Sequence, residues 1–168
     1  MACLRKYCQR PLASLLLVMI LLTGLLSAGC AEEPVIGEID DQATVALIRF
    51  EDQGDGISGV VYREINRFSS FLADSDVPVL AVFYSSLAPV NSQIIPRLEQ
   101  MADDYQGALQ IAWIDADAEP ALADSFSVEA LPQFTVVIGG AMKRSLVGYE
   151  QDGASKLQAL VDAYLVAP

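Results

Sequence analysis

Val79-Leu80-Ala81-Val82-Phe83-Tyr84 is an unbroken apolar run, bounded by Pro78 before it and by the pair Ser85-Ser86 after it. A strand with one wet face alternates apolar and polar residues, so a run without alternation reads as a strand covered on both faces. It is therefore expected to be the central strand of a sheet packed between layers. The segments after it carry the helical spacing that such layers need. Ile94, Leu98, Met101 and Tyr105 recur at that spacing and predict a long helix from about Pro89 to Tyr105, closed by Gly107. Pro96 falls inside it, where it removes a backbone hydrogen bond and is expected to kink the axis.

Leu109 to Ile114 predicts a further strand, ending at Asp115-Ala116-Asp117, and Glu119-Pro120 opens a short helix to about Phe126. Phe134 to Ile138 and Met142 to Val147 flank Gly139-Gly140, which signals a tight hairpin. The last helix is expected from about Ala154 to Leu165, with Leu157, Leu160, Val161 and Tyr164 on its buried face. Upstream of the central strand, Val45-Ala46-Leu47-Ile48 with Phe50, and Val60-Val61-Tyr62, predict two strands around the turn Asp52 to Gly56. A short helix follows, with Asn66 as its expected cap and Phe68, Phe71 and Leu72 on one face. The class is α/β, a central mixed sheet flanked by helices, with residues 44–168 as one domain.

The amino terminus has a different grammar. Arg5, Lys6 and Arg10 precede an apolar core from about Leu12 to Leu26, and the run Leu25-Leu26-Ser27-Ala28-Gly29-Cys30 ends it. The core is shorter than the roughly 20 residues of a spanning helix, which makes residues 1–29 a signal peptide. The run before Cys30 resembles the processing signal of a bacterial lipoprotein, although Ser27 stands three residues before the cysteine where leucine is usual. That resemblance implies lipid on Cys30 and attachment to a bacterial membrane outside the cytoplasm, with an uncleaved anchor or an unlipidated secreted protein as the alternatives. Residues 30–43, with Glu32, Glu33, Pro34, Gly37, Glu38, Asp40 and Asp41, read as an acidic tether.

Cleavage before Cys30 would discard Cys3 and Cys8 together with three basic residues, taking the formal charge from -12 to about -15. Such a surface repels nucleic acid and anionic head groups, so no nucleic-acid partner is expected. No histidine occurs anywhere in the chain, which removes the commonest general base and metal ligand together.

The order strand, helix, strand, kinked helix, strand, helix, hairpin, helix resembles the thioredoxin family, and residues match as well. Val79 to Pro96 looks like the family's central strand, active-site loop and kinked helix in register without a gap, and Ile111 to Asp117 resembles its third strand. Leu131-Pro132 falls where the family has its cis proline, and Gly148 where a glycine follows the last strand. The similarity spans about Gly59 to Leu165, with Thr44 to Phe50 outside it as an extra amino-terminal strand. The departures carry the functional reading. Where redox members have Trp-Cys-Gly-Pro-Cys this chain has Leu87-Ala88-Pro89-Val90-Asn91, and Val82 stands where the family has a buried carboxylate. Disulfide exchange needs a thiolate to attack sulfur, and neither alanine nor asparagine supplies one.

By that resemblance no residue is expected to be catalytic and no cofactor is implied. Leu131 and Pro132 are expected to keep the family's peptide-holding edge, which binds an extended segment by strand-like hydrogen bonds. The bland reading of Ala88 to Asn91 is an inert connector, with Pro89 early in the helix and Ser85 or Ser86 as its cap. Asp115, Asp117 and Glu119 form an oxygen-rich cluster, yet at a strand end leading into a helix such acids serve as caps, and no calcium-loop spacing is present, so no metal is expected. The turn from Asp52 to Gly56 likewise reads as a hairpin. Ser85 and Ser86 lack a histidine partner, and Lys143 and Lys156 are the only lysines after Cys30, so a serine hydrolase is not supported. The function expected is a membrane-tethered protein- or peptide-binding module. The alternatives are an oxidoreductase acting only with a partner's cysteines and a structural subunit of an envelope complex.

Overall fold

The computed structural model describes residues 44–165. The signal peptide expected over residues 1–29, the lipidation expected at Cys30 and the tether expected over residues 30–43 lie outside the described residues. Among the described residues no helix is long and apolar enough to cross a membrane.

In chain order the elements are β1 (Val45–Gly54), β2 (Ile57–Glu64), α1 (Phe68–Asp74), β3 (Val79–Tyr84), α2 (Asn91–Tyr105), β4 (Gln110–Asp115), α3 (Pro120–Ser125), β5 (Gln133–Ile138), β6 (Ala141–Val147) and α4 (Gly153–Asp162). The strands form one six-stranded sheet in the order β2-β1-β4-β3-β5-β6. Only β3 and β4 run parallel, and every other neighbouring pair is antiparallel. The apolar run at β3 is central, as its composition requires. Because side chains alternate across a strand, Leu80 and Val82 enter one core cluster while Val79, Ala81 and Phe83 enter the other. The first cluster takes in Ile94, Leu98 and Met101 of α2 and Leu157, Leu160 and Val161 of α4. The second takes in Phe68 and Leu72 of α1 with Ala123 of α3. Gly139 and Gly140 have φ of 56° and 74°, the left-handed pair that a two-residue hairpin between β5 and β6 demands.

The extra amino-terminal strand is part of the sheet's interior. Val45 to Ile48 of β1 pair with Ile114 to Ile111 of β4 on one side, and Ala46 to Asp52 pair with β2 on the other. All four residues from Val45 to Ile48 are buried, because a strand with neighbours on both edges and helices on both faces has no wet side. Beyond Ile48 the strand has left β4 behind, and residues 49–54 with Ile57 to Val61 project as a two-stranded arm whose burial falls away toward the turn.

Three helix boundaries differ from expectation. The residue before α1 is Arg67, and no side chain caps the helix, so Asn66 does not act as its cap. Helix α2 starts at Asn91 rather than Pro89, because the preceding residues are taken up in turns closed by Ala88 N–H to Ser85 O (3.0 Å) and Asn91 N–H to Ala88 O (3.2 Å). Its cap position is Val90, with no side-chain cap bond, so neither Ser85 nor Ser86 caps it. Helix α4 ends at Asp162, and Tyr164 and Leu165 both bond back to Val161 O in a closing turn.

On the arm, Glu51 is gripped by two guanidinium groups: Arg63 donates from Nε (2.9 Å) and Nη2 (2.8 Å), and Arg49 donates from Nε (2.6 Å). The Arg63 hydrogen bonds, opposed by partial burial and reinforced by Arg49, hold its carboxyl down from 4.5 to about 2. A carboxyl lowered on folding contributes its stability in full above the unfolded value, and that contribution is lost as pH falls from about 4.5 through about 2. Because the Arg63 side chain is 46% exposed, the contribution is expected to be about 1 kcal/mol. Urea midpoints measured between those pH values should therefore fall less steeply for Glu51→Gln than for the parent.

Candidate functional site

The loop at Ser85 to Val90 leaves the carboxyl end of β3, and three other segments meet it at that end of the sheet. Phe83 pairs with Gln133, so Leu131-Pro132, just before β5, lies beside the strand end from which the loop departs. Tyr84 pairs with Asp115, and Ala116 N–H donates to Tyr84 O (2.9 Å), bringing in the β4–α3 connection. Gln133 pairs with Val147, and Gly148 N–H donates to Pro132 O (2.8 Å), which brings in the connection from β6 to α4. Strands of different length of connection therefore deliver residues 85–91, 115–119, 131–132 and 147–148 to one place.

Within the loop, Asn91 Nδ2 donates to Ser85 O (2.8 Å), Leu87 N–H approaches Ser85 Oγ (3.4 Å), and Ser92 Oγ donates to Pro89 O (3.0 Å). Ser85 Oγ in turn donates to Asp117 Oδ2 at 2.6 Å, tying the loop to the end of β4. Asn91 thus closes the loop onto the start of α2. Its Oδ1 is buried and has no hydrogen-bond partner. Val90 packs against the α2-side core, Ala88 is half-buried, and Leu87 is 88% exposed. Below the loop, Val82 is fully buried among apolar neighbours. The rings of Tyr84 and Trp113 stack at 4.0 Å and 14°. Burial pushes the Tyr84 phenol up, and the Asp115 carboxylate adds to the effect.

The Leu131–Pro132 peptide bond is cis. Its segment is held by Gln133, whose buried Nε2 donates to Phe126 O and to Thr135 Oγ1, both at 3.3 Å. Gln133 was not singled out by sequence, though a glutamine beside the apolar run Phe134 to Ile138 is the signal that could have shown it. Leu131 itself is 36% exposed.

The acidic residues nearby are engaged with the chain. Asp115 Oδ1 accepts from Asp117 N–H (2.9 Å) and Ala118 N–H (3.4 Å), Asp117 holds Ser85, and Glu119 Oε1 accepts from Thr44 Oγ1 (2.9 Å). They hold the turn together, as cap-like acids at a strand end do. Ser85 presents a hydroxyl to a carboxylate, but the chain has no imidazole to carry its proton onward. The described residues contain no cysteine. The loop end is therefore fastened by side-chain hydrogen bonds and presents the exposed apolar side chains of Leu87 and Leu131.

A family model described as Thioredoxin matches residues 59–163. The thioredoxin of Chlorobaculum thiosulfatiphilum is 32% identical over 81 residues, which cover 48% of this chain and 75% of that protein. Thioredoxin 1 of a Nostoc species is 26% identical over 81 residues, 48% of this chain and 76% of the relative. Among solved structures, oxidized mitochondrial thioredoxin 3 from Saccharomyces cerevisiae superposes with a TM-score of 0.52 at 19% identity, over 57% of this chain and 86% of that one, a likeness of fold. The family match begins inside β2, so β1, which lies between β2 and β4, stands outside it.

Proposed function

This chain belongs to the thioredoxin family, and we propose that it works there as a non-catalytic member, tethered outside the cytoplasm by lipid on Cys30 and holding a protein or peptide partner at the loop end of its sheet. The observation that carries this reading is the pair Ala88 and Asn91, which stand in the loop where exchange would need two thiols, in a chain with no cysteine after Cys30. Thiol exchange has no attacking atom there. What the loop end keeps is shape: an exposed Leu87, an exposed Leu131 on a cis-proline segment, and a loop fastened by Ser85, Asn91 and Asp117. A fastened backbone beside exposed apolar side chains suits an extended segment, since little order has to be gained on binding.

The reading is tested with a photoreactive residue placed singly at Leu87, at Leu131, or at Ile57 on the β1–β2 arm. Adducts to one protein partner from the two loop-end positions, and not from Ile57, are expected. Adducts from Ile57 alone would overturn the groove reading and favour a scaffold that binds through its arm.

A further inference from the structure

Apart from the loop end, the sheet keeps one edge open to pairing, and we infer that β2 meets a second copy of this chain there, antiparallel, about a two-fold axis at Val61. β2 and β6 are the outermost strands, and among the described residues neither has a neighbour on its outer side. The two edges are guarded differently. β6 carries the register shift opposite Val136 and Val137, which leaves Lys143 outside the ladder, and Lys143 and Arg144 are both exposed in mid-strand. A bulge with basic side chains blunts an edge against further pairing. β2 runs in unbroken register with β1 from Ser58 to Glu64 and holds neither proline nor lysine. Its backbone direction follows from one bond: Ile65 N–H donates to Val45 O (3.0 Å), which makes that pair a hydrogen-bonded one. Such pairs alternate along an antiparallel ladder, so Gly59, Val61 and Arg63 turn their backbone groups toward β1. Ser58, Val60, Tyr62 and Glu64 therefore turn theirs outward, where no described residue meets them.

Any extended chain can bond to those groups, so the side chains decide which one does. With the axis at Val61, every outward residue meets an outward residue of the second copy: Ser58 faces Glu64, and Val60 faces Tyr62. An aromatic ring opposite a β-branched side chain is a favourable cross-strand pair, and Ser58 offers its hydroxyl to the Glu64 carboxylate. Arg63, the longest side chain of the strand, falls opposite Gly59, and among the described residues nothing lies within 4 Å of where a Cβ on Gly59 would stand. No like charges stand directly opposite each other. Moving the axis to Val60 leaves Glu64 beyond the second copy's strand, and moving it to Tyr62 sets the Glu64 carboxylate against Val60. The strand is thus complementary to itself in one register. Pairing there consumes the open edge of both copies and leaves outermost only the two guarded β6 strands, so the assembly closes at two.

The test is sedimentation of the full chain in detergent and reductant at rising protein concentration. A reversible dimer without larger species is expected by about 100 μM. Val60→Pro removes an outward N–H that β1 does not use, so dimer dissociation is expected to rise at least about tenfold while the thermal transition of the dilute protein persists. At the exposed Ser58, Ser58→Glu sets like charges opposite Glu64 of the second copy and should weaken the dimer at least about threefold, whereas Ser58→Lys should tighten it by a similar factor. A monomer throughout, larger assemblies, or a folded Val60→Pro as dimeric as the parent would overturn the inference. Should Val60→Pro not fold, the two Ser58 variants decide: a dimer that responds to neither is joined elsewhere, and the inference falls. A photoreactive residue at Ile57, just beyond the last pair, is expected to join chain to chain, an adduct told by its mass from one to a different protein. An adduct there to a different protein, without the chain-to-chain product, would place another strand on this edge and likewise overturn it. The loop-end reading is tested at Leu87 and Leu131 and stands or falls apart from this one.

Discussion

Replacing Ile48 by aspartate is expected to leave the protein without a cooperative unfolding transition. Ile48 has no exposed surface, pairs with Tyr62 on one side and Ile111 on the other, and packs in the cluster that joins β1 to α2 and α4. Truncating such a side chain costs about 2–5 kcal/mol, and burying a carboxylate there adds roughly several kcal/mol more. Together these approach the roughly 5–15 kcal/mol by which domains are stable. The same substitution at Ile57, which is 55% exposed on the arm, should leave the thermal transition nearly unchanged. A cooperative melt for Ile48→Asp would mean that β1 is an appendage and not a load-carrying strand between β2 and β4.

The second large effect concerns electrons. The domain of residues 44–168 is expected to reduce insulin no faster than buffer, whereas Ala88→Cys combined with Asn91→Cys is expected to raise the rate at least about a hundredfold, because only then does a thiolate exist there to attack sulfur. Asn91 is the first residue of α2, and the start of a helix lowers a thiol's pKa. Loss of the Asn91–Ser85 bond costs about 1 kcal/mol, partly offset because the unpartnered Oδ1 goes with it. Val82 remains apolar beneath the loop, so proton transfer at the second thiol lacks a carboxylate and turnover should stay below that of dithiol relatives. Dithiol turnover by the unaltered domain would end the non-catalytic reading.

Much of the architecture could be read from local pattern. Val79 to Tyr84 announced a strand covered on both faces, Gly139-Gly140 announced a hairpin, and Ile94, Leu98 and Met101 announced the face of α2 that is fully buried. Each of these signals is a periodicity or a backbone requirement confined to a few neighbouring residues. The loop's lack of thiols was also plain, since it is a matter of which atoms are present.

The remainder depends on partners distant in sequence. Ser85 meets Asp117, Thr44 meets Glu119, and Gln133 reaches back to Phe126, contacts that no spacing rule encodes. Asn66 looked like a helix cap but sits before Arg67, outside the cap position, and Leu87 is apolar yet turned to solvent because the loop around it is tied at Ser85 and Asn91.

By composition and pattern alone, the chain determined that it would build a helix-flanked sheet around Val79 to Tyr84 and that its loop would hold no sulfur. Tertiary structure decided the order of the strands. Val45 to Ile48 and Val60 to Tyr62 are both short apolar runs of strand-forming residues, and either could have met β4. Strand neighbours are joined by backbone groups that every residue carries, so the choice falls to burial summed over the whole sheet. Placing Val45 to Ile48 inside hides four side chains, while β2, left at the edge, hides only Val61 completely and exposes both of its ends.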